Sequence, residues 1–172
     1  MANPPAPVLV FTWGNPSRGD DALGPALYER LQEIQSAGRL PGVDLLTDFQ
    51  LQIEHALDLR ERDRVLFVDA SVGVEAPLRF SLLQAEPEVS FTTHAMSPGA
   101  ILSVFAQVEQ QPPPPSFLLS IRGYEFGLGQ PLSVEANRHL DAACGFILSL
   151  LAADGIRSWH AAATEGDYSG QS

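Results

Sequence analysis

Residues 8–25 read VLVFTWGNPSRGDDALGP. The run from Val8 to Trp13 is apolar, β-branched and aromatic, the composition of a buried strand, and Gly14 ends it. Gly14 and Gly19 are five residues apart, as in the Gly-x-x-x-x-Gly-Lys-Ser/Thr loop that cradles phosphate. Where that loop continues with Lys and a hydroxyl, this chain has Asp20 and Asp21. A phosphate cradle works through backbone N–H donors and a cation, so two carboxylates exclude the nucleotide reading on charge. Pro25 fits best in the first turn of a helix, so both aspartates fall at or just before a helix start. There the helix dipole favours their ionised forms.

Working outward, strand and helix patterns alternate. A helix is expected over residues 22–37 from Leu27, Leu31 and Ile34, and a second strand near 43–48. LQIEHALDLRER reads as a short helix with Ile53, Ala56 and Leu57 on one side and Leu59 adding to it. RVLFVDAS is the clearest strand and carries Asp69. Residues 78–83 alternate like an edge strand. A helix over 98–109 is expected to turn Ile101, Leu102, Phe105 and Val108 inward. Pro112 to Pro115 read as a connector, SFLLSIRG as a further strand, and residues 133–153 as a long helix. This alternation implies an α/β domain with a mostly parallel sheet covered on both faces. No domain boundary is visible. One domain over residues 1–159 and a disordered tail over 160–172 are expected.

The 172 residues suffice for one substantial core. The net charge of −11 disfavours nucleic acid as a partner. No apolar run reaches the ~20 residues of a membrane span. The opening MANPPAPV lacks the pattern of a secretory signal, so a cytoplasmic location is expected. The single cysteine, Cys144, excludes an internal disulfide, and on the apolar face of the last helix it reads as a buried, inert thiol.

In open α/β sheets ligands bind beyond the carboxyl ends of the strands. Those ends carry Asp20 and Asp21, then Asp48, then Asp69, with His94 in the loop after the edge strand. Carboxylate oxygens and an imidazole are a ligand set for a divalent transition metal. Aspartate at a helix start is also an ordinary cap, and a lone loop histidine is commonly no ligand at all, so the spacing alone leaves both readings open. His55, His139 and His160 read as structural or exposed. No Gly-x-Ser-x-Gly elbow supports serine chemistry.

GNPSRGDDALGP resembles the signature loop of the [NiFe]-hydrogenase maturation endopeptidases: a Gly-Asn pair after the first strand, an acidic pair, then glycine. Gly14, Asn15, Asp20, Asp21 and Gly24 fill those places. VLFVDAS resembles that family's third strand and THAMSPGAILSVF its histidine segment, and the likeness runs from about residue 7 to 151. The resemblance implies a three-layer α/β/α domain with a twisted, mostly parallel sheet of about five strands. It implies a peptidase that removes the C-terminal extension of the hydrogenase large-subunit precursor after nickel insertion. Asp21, Asp69 and His94 take the family's metal-contacting, catalytic places, with Asn15, Asp20 and Asp48 as substrate contacts. The resemblance further implies that the nickel arrives with the precursor and that the free enzyme holds no tight cofactor; a monomer is expected. Many family members carry Gly-Gly after the second strand's aspartate; here Phe49 and Gln50 follow Asp48. That departure sets substrate contacts at Asp48 apart from the family pattern and points to a subgroup, whose own substrate-facing segment is expected at residues 48–59, with Glu54 as a candidate contributor or a solvated helix residue. Arg122, Tyr124 and Glu125 also fall at the ligand-bearing edge. Two rivals are a hydrolase that keeps its own metal at the same three residues and a non-catalytic module that binds the large subunit without cutting it.

Overall fold

The computed structural model describes residues 3–87, 96–153 and 155–163. Five strands form one sheet: β1 (Val8–Trp13), β2 (Val43–Asp48), β3 (Arg64–Ser71), β4 (Leu78–Leu83) and β5 (Ser116–Arg122), in the order β2-β1-β3-β5-β4. All neighbours are parallel except the β4–β5 pair, so β2 and an antiparallel β4 are the two edges. Among the described residues four helices accompany them: α1 (Leu23–Ser36), α2 (Pro98–Glu109), α3 (Val134–Ala152) and α4 (Gly155–Ala162). Short 3₁₀ segments cover Gly19–Ala22 and Ile53–Leu59.

Period-two alternation divides the core into two layers. Val8 and Val10, Leu66 and Val68, and Phe117 and Leu119 face α1 and α3, meeting Leu27, Leu31, Leu140 and Ile147. Leu9 and Phe11, Val65 and Phe67, and Leu118 face the other way, onto Ala56, Leu59, Ile101, Leu102 and Phe105. The central strands are apolar on both faces because both are covered. The result is the three-layer α/β/α arrangement that the alternation of elements implied.

Three expectations are corrected. In Ile53–Leu59, Ala56 and Leu59 are buried while Ile53 and Leu57 are exposed. The segment is 3₁₀, so Ala56 and Leu59, three apart, share the inward face and leave Leu57 outside, while Ile53, its first residue, lies beyond the covered part of that face. Val108, expected inward, is exposed in the last turn of α2. The chain also does not leave the fold at residue 160. Helix α4 runs to Ala162 and buries Trp159 completely against Phe117 and Phe80, with Nε1–H donating to the Leu150 carbonyl at 3.1 Å. A lone tryptophan in a polar stretch carried too little periodicity to announce this. Residues 164–172 lie outside the described residues.

No helix among the described residues is long and apolar enough to cross a membrane.

Candidate active site

The loop after β1 is shaped by close backbone approach. Gly14 has φ 150°, and a Cβ there would lie 2.0 Å from the Asp21 carbonyl oxygen. A Cβ on Gly24 would lie 2.2 Å from the Trp13 carbonyl oxygen, so α1 starts hard against the end of β1. Between them the Asn15 side chain accepts from the Ser17 amide at 2.9 Å, an Asx turn, and the Asn15 amide donates to Asp21 Oδ2 at 2.7 Å. Neither helix start in this region has a side-chain cap. The two aspartates therefore do something other than cap α1.

Asp20 turns inward. It is fully buried, and its carboxylate accepts from the amides of Tyr124 (2.7 Å), Glu125 (3.1 Å) and Ser133 (2.7 Å) and from the Ser133 hydroxyl (2.8 Å). Burial alone would raise its pKa, but the bonds from Ser133, Tyr124 and Glu125 outweigh it and hold the group below the usual carboxylate value. With no accessible surface and both oxygens bonded, Asp20 is an internal anchor and not the substrate contact expected of it. It fixes the segment after β5 and the N-terminus of α3, which Ser133 caps.

Asp21 is partly exposed and lies close enough to Asp69 for its charge to act there. Asp69 follows Phe67 on the α2 face of β3, opposite Ser120 of β5 in register. The residue as a whole is half-buried, yet its Oδ1 is enclosed and has no hydrogen-bond partner among the described residues. Its pKa is pushed up to about 7: burial is the main cause, the negative charge of Asp21 adds to it, and a hydrogen bond from Ser120 partly offsets it. A carboxylate pair with an enclosed, unsatisfied oxygen can take up a proton or a cation.

The structure thus brings Asp21 and Asp69 together at the carboxyl edge of the sheet. His94 lies outside the described residues, and among those described no three His, Cys, Asp or Glu side chains cluster as a metal site. Asp48 sits at the end of β2 but is engaged elsewhere, accepting from the Phe49 amide at 2.7 Å and facing His55 Nε2 at 3.1 Å. The Gln52 amide donates to His55 Nδ1 at 2.8 Å, so the tautomer with its hydrogen on Nε2 satisfies both contacts and makes His55 structural. Arg122 donates to the Val74 carbonyl at 2.9 Å and stacks over Tyr124, holding that loop in place. Glu54 is exposed.

No family model matches the chain, and no curated protein matches it significantly. Solved structures do. The [NiFe] hydrogenase maturation protease HycI from Thermococcus kodakarensis KOD1 aligns with a TM-score of 0.67 at 20% identity, covering 86% of this chain and 94% of that one. The hydrogenase maturating endopeptidase HybD from E. coli gives 0.64 at 24% identity, over 84% and 91%. An endopeptidase from Escherichia coli studied in solution gives 0.65 at 22% identity, over 87% and 94%. The chain has the fold of the hydrogenase maturation proteases.

Within that fold, two residues next to the acidic groups were not singled out from sequence. Ser133 donates its hydroxyl to Asp20, and Ser120 stands opposite Asp69 in register, where its hydroxyl works to lower that group's pKa. Ser120 was findable, since a polar residue two after Leu118 in a buried strand mirrors Asp69 two after Phe67. Ser133 was legible only as the N-cap of α3; its bond to Asp20 spans 113 residues and needs the fold.

Proposed function

We propose that this protein is an endopeptidase that removes the C-terminal extension from the nickel-loaded precursor of a [NiFe]-hydrogenase large subunit. One observation carries the reading: the enclosed, partnerless oxygen of Asp69 beside Asp21, at the ligand-bearing edge of a fold shared with named maturation proteases. The precursor's nickel, already held by thiolates, meets Asp21, Asp69 and His94. Hard carboxylates and an imidazole share such an ion without stripping it from sulfur. The nickel is thus part of the substrate, and its presence is what the site recognises.

Hydrolysis then adds a water oxygen to the scissile carbonyl carbon. A carboxylate of the pair takes the water's proton and delivers it to the leaving nitrogen as the C–N bond breaks.

The test is the intact mass of a large-subunit precursor after incubation with the protein, with and without nickel. Loss of a C-terminal peptide from the nickel-loaded form alone is expected. An unchanged mass despite confirmed nickel loading overturns the peptidase reading.

A further inference from the structure

One edge of the sheet is open, and it leads to the candidate site. The Val8 amide bonds to the Gly42 carbonyl at 3.2 Å and the Gly14 amide to the Asp48 carbonyl at 3.1 Å. In a parallel ladder both peptide groups of a residue point the same way, so the even-numbered residues of β2 face β1 and Val43, Leu45 and Thr47 face outward. The Val43 carbonyl is covered by the Gln35 side chain at 2.7 Å. Asp44, near the same end, is tied to Arg62 and to the Ala6 amide. The carboxyl half has no such cover: among the described residues nothing bonds to the outward N–H and C=O groups of Leu45 and Thr47. Natural edges are usually blunted by proline, charged side chains or a bulge; VDLLTD has no proline or bulge, and its two charges, Asp44 and Asp48, stand on residues whose peptide groups face β1 and are engaged by Arg62 and His55. Where this edge ends, Phe49 is 65% exposed, and Ile53 and Leu57 are exposed beyond it.

Resting on the function proposed above, we infer that the open edge of β2 binds the substrate segment flanking the scissile bond as an added strand, and that Phe49 and Ile53 receive its apolar side chains. Unpaired, strand-spaced amides and carbonyls recognise an extended polypeptide by its backbone, and neighbouring apolar positions select side chains. The edge is continuous with the site, because the Asp48 carbonyl that closes β2 holds the Gly14 end of the acidic loop. An added strand lies two strand spacings, about 10 Å, from β1 and three, about 14 Å, from β3, which carries Asp69. About four to five extended residues cover the longer span. A strand bound here therefore delivers a nearby peptide bond to Asp21 and Asp69 by crossing Phe49. With a net charge of −11 on the chain and Glu54 exposed beside Ile53, the segment that fits combines apolar with cationic residues.

Amide exchange tests this directly. The wild-type protein is first checked for cleavage of the nickel-loaded precursor from the same genome. NMR then follows the Leu45 and Thr47 amides of the wild-type protein, free and with that precursor carrying proline just after the scissile bond to block cleavage, so that the residues proposed to meet nickel stay native. Slowing of both by at least tenfold in the complex is expected. A wild-type protein that cuts, and a complex that leaves these amides unprotected, overturns the edge proposal alone. A wild-type protein that neither cuts nor binds the precursor overturns both readings. Protection already present in the free protein and growing with its concentration assigns the edge to a second copy of this chain and overturns the proposal. Thr47→Pro, which removes one outward amide, is expected to raise KM about tenfold and leave kcat within threefold; an unchanged KM in the folded variant counts against the added strand.

Discussion

Asp20 and Asp69 are both withdrawn from solvent at the same edge of the sheet, yet they sit in opposite environments. Among the described residues Asp20 accepts four hydrogen bonds and its pKa is held low; Asp69 keeps an enclosed oxygen without a partner, is helped only by the Ser120 hydroxyl, faces a second carboxylate and is pushed up to about 7. Burial desolvates both. What separates them is the number of donors that the surrounding backbone supplies. Where donors are sufficient, a buried carboxylate anchors the fold; where they are not, it stores an unfavourable charge that only a proton or cation relieves. The first pattern anchors the architecture; the second is the one on which the proposed site rests.

The strongest way to break this contrast is to neutralise Asp69. Asp69→Asn is expected to lower precursor processing by about 10²- to 10⁴-fold, the usual range for a lost acid–base group. It is also expected to stabilise the fold. A folded-state pKa raised from 3.8 to about 7 means that the folded chain holds this proton more tightly than the unfolded chain between those values. Stability therefore falls as pH rises from about 4 to about 7, then levels off, and Asp69→Asn recovers about 2–4 kcal/mol at pH 8 by linkage. Urea denaturation at pH 5 and pH 8 checks this: the substitution should flatten the wild-type decline. A variant that processes precursor normally, or that is less stable than wild type at pH 8, would contradict the site reading.

The same experiment on Asp20 should run the other way. Its depressed pKa makes its contribution fully present above the unfolded value near 3.8, and lost as pH falls through the lower folded value. Asp20→Ala leaves the Ser133, Tyr124 and Glu125 donors without their acceptor and is expected to cost about 3 kcal/mol or more at neutral pH. Amide exchange at Tyr124 and Glu125 should accelerate along with the loss. If stability and exchange stayed at wild-type values, the anchor role would fail.

How much of this was readable beforehand follows from the same physics. The strands were legible because a sheet covered on both faces demands continuous apolar runs such as VLFV and FLLSI. The candidate positions of Asp21 and Asp69 were legible because strand-to-loop transitions mark the carboxyl edge. The different fates of Asp20 and Asp21 were not. They are neighbours of identical chemistry, and what distinguishes them is a set of donors more than 100 residues away. Trp159 was obscured for a related reason: its burial is decided by Phe80 and Phe117, on strands distant in sequence, and not by any local pattern. The outward face of β2 likewise emerges only once register assigns each peptide group to one side.

Ser120 offers the finest test, because it asks whether a single donor changes Asp69 in the expected sense. Its hydroxyl opposes the effects of burial and of Asp21 on that group. Ser120→Ala should raise the Asp69 pKa further, since the ionised form loses its one stabilising contact. The cost to folding should be about 1 kcal/mol, larger for a charged acceptor than for a neutral one. It must therefore depend on pH: greater at pH 8, where Asp69 is mostly ionised, than at pH 5, where it is mostly protonated. A cost equal at both values would make Ser120 a packing residue and leave the high pKa of Asp69 to burial and Asp21 alone. A cost confined to high pH, and absent when Ser120→Ala is combined with Asp69→Asn, would place the hydroxyl on the carboxylate.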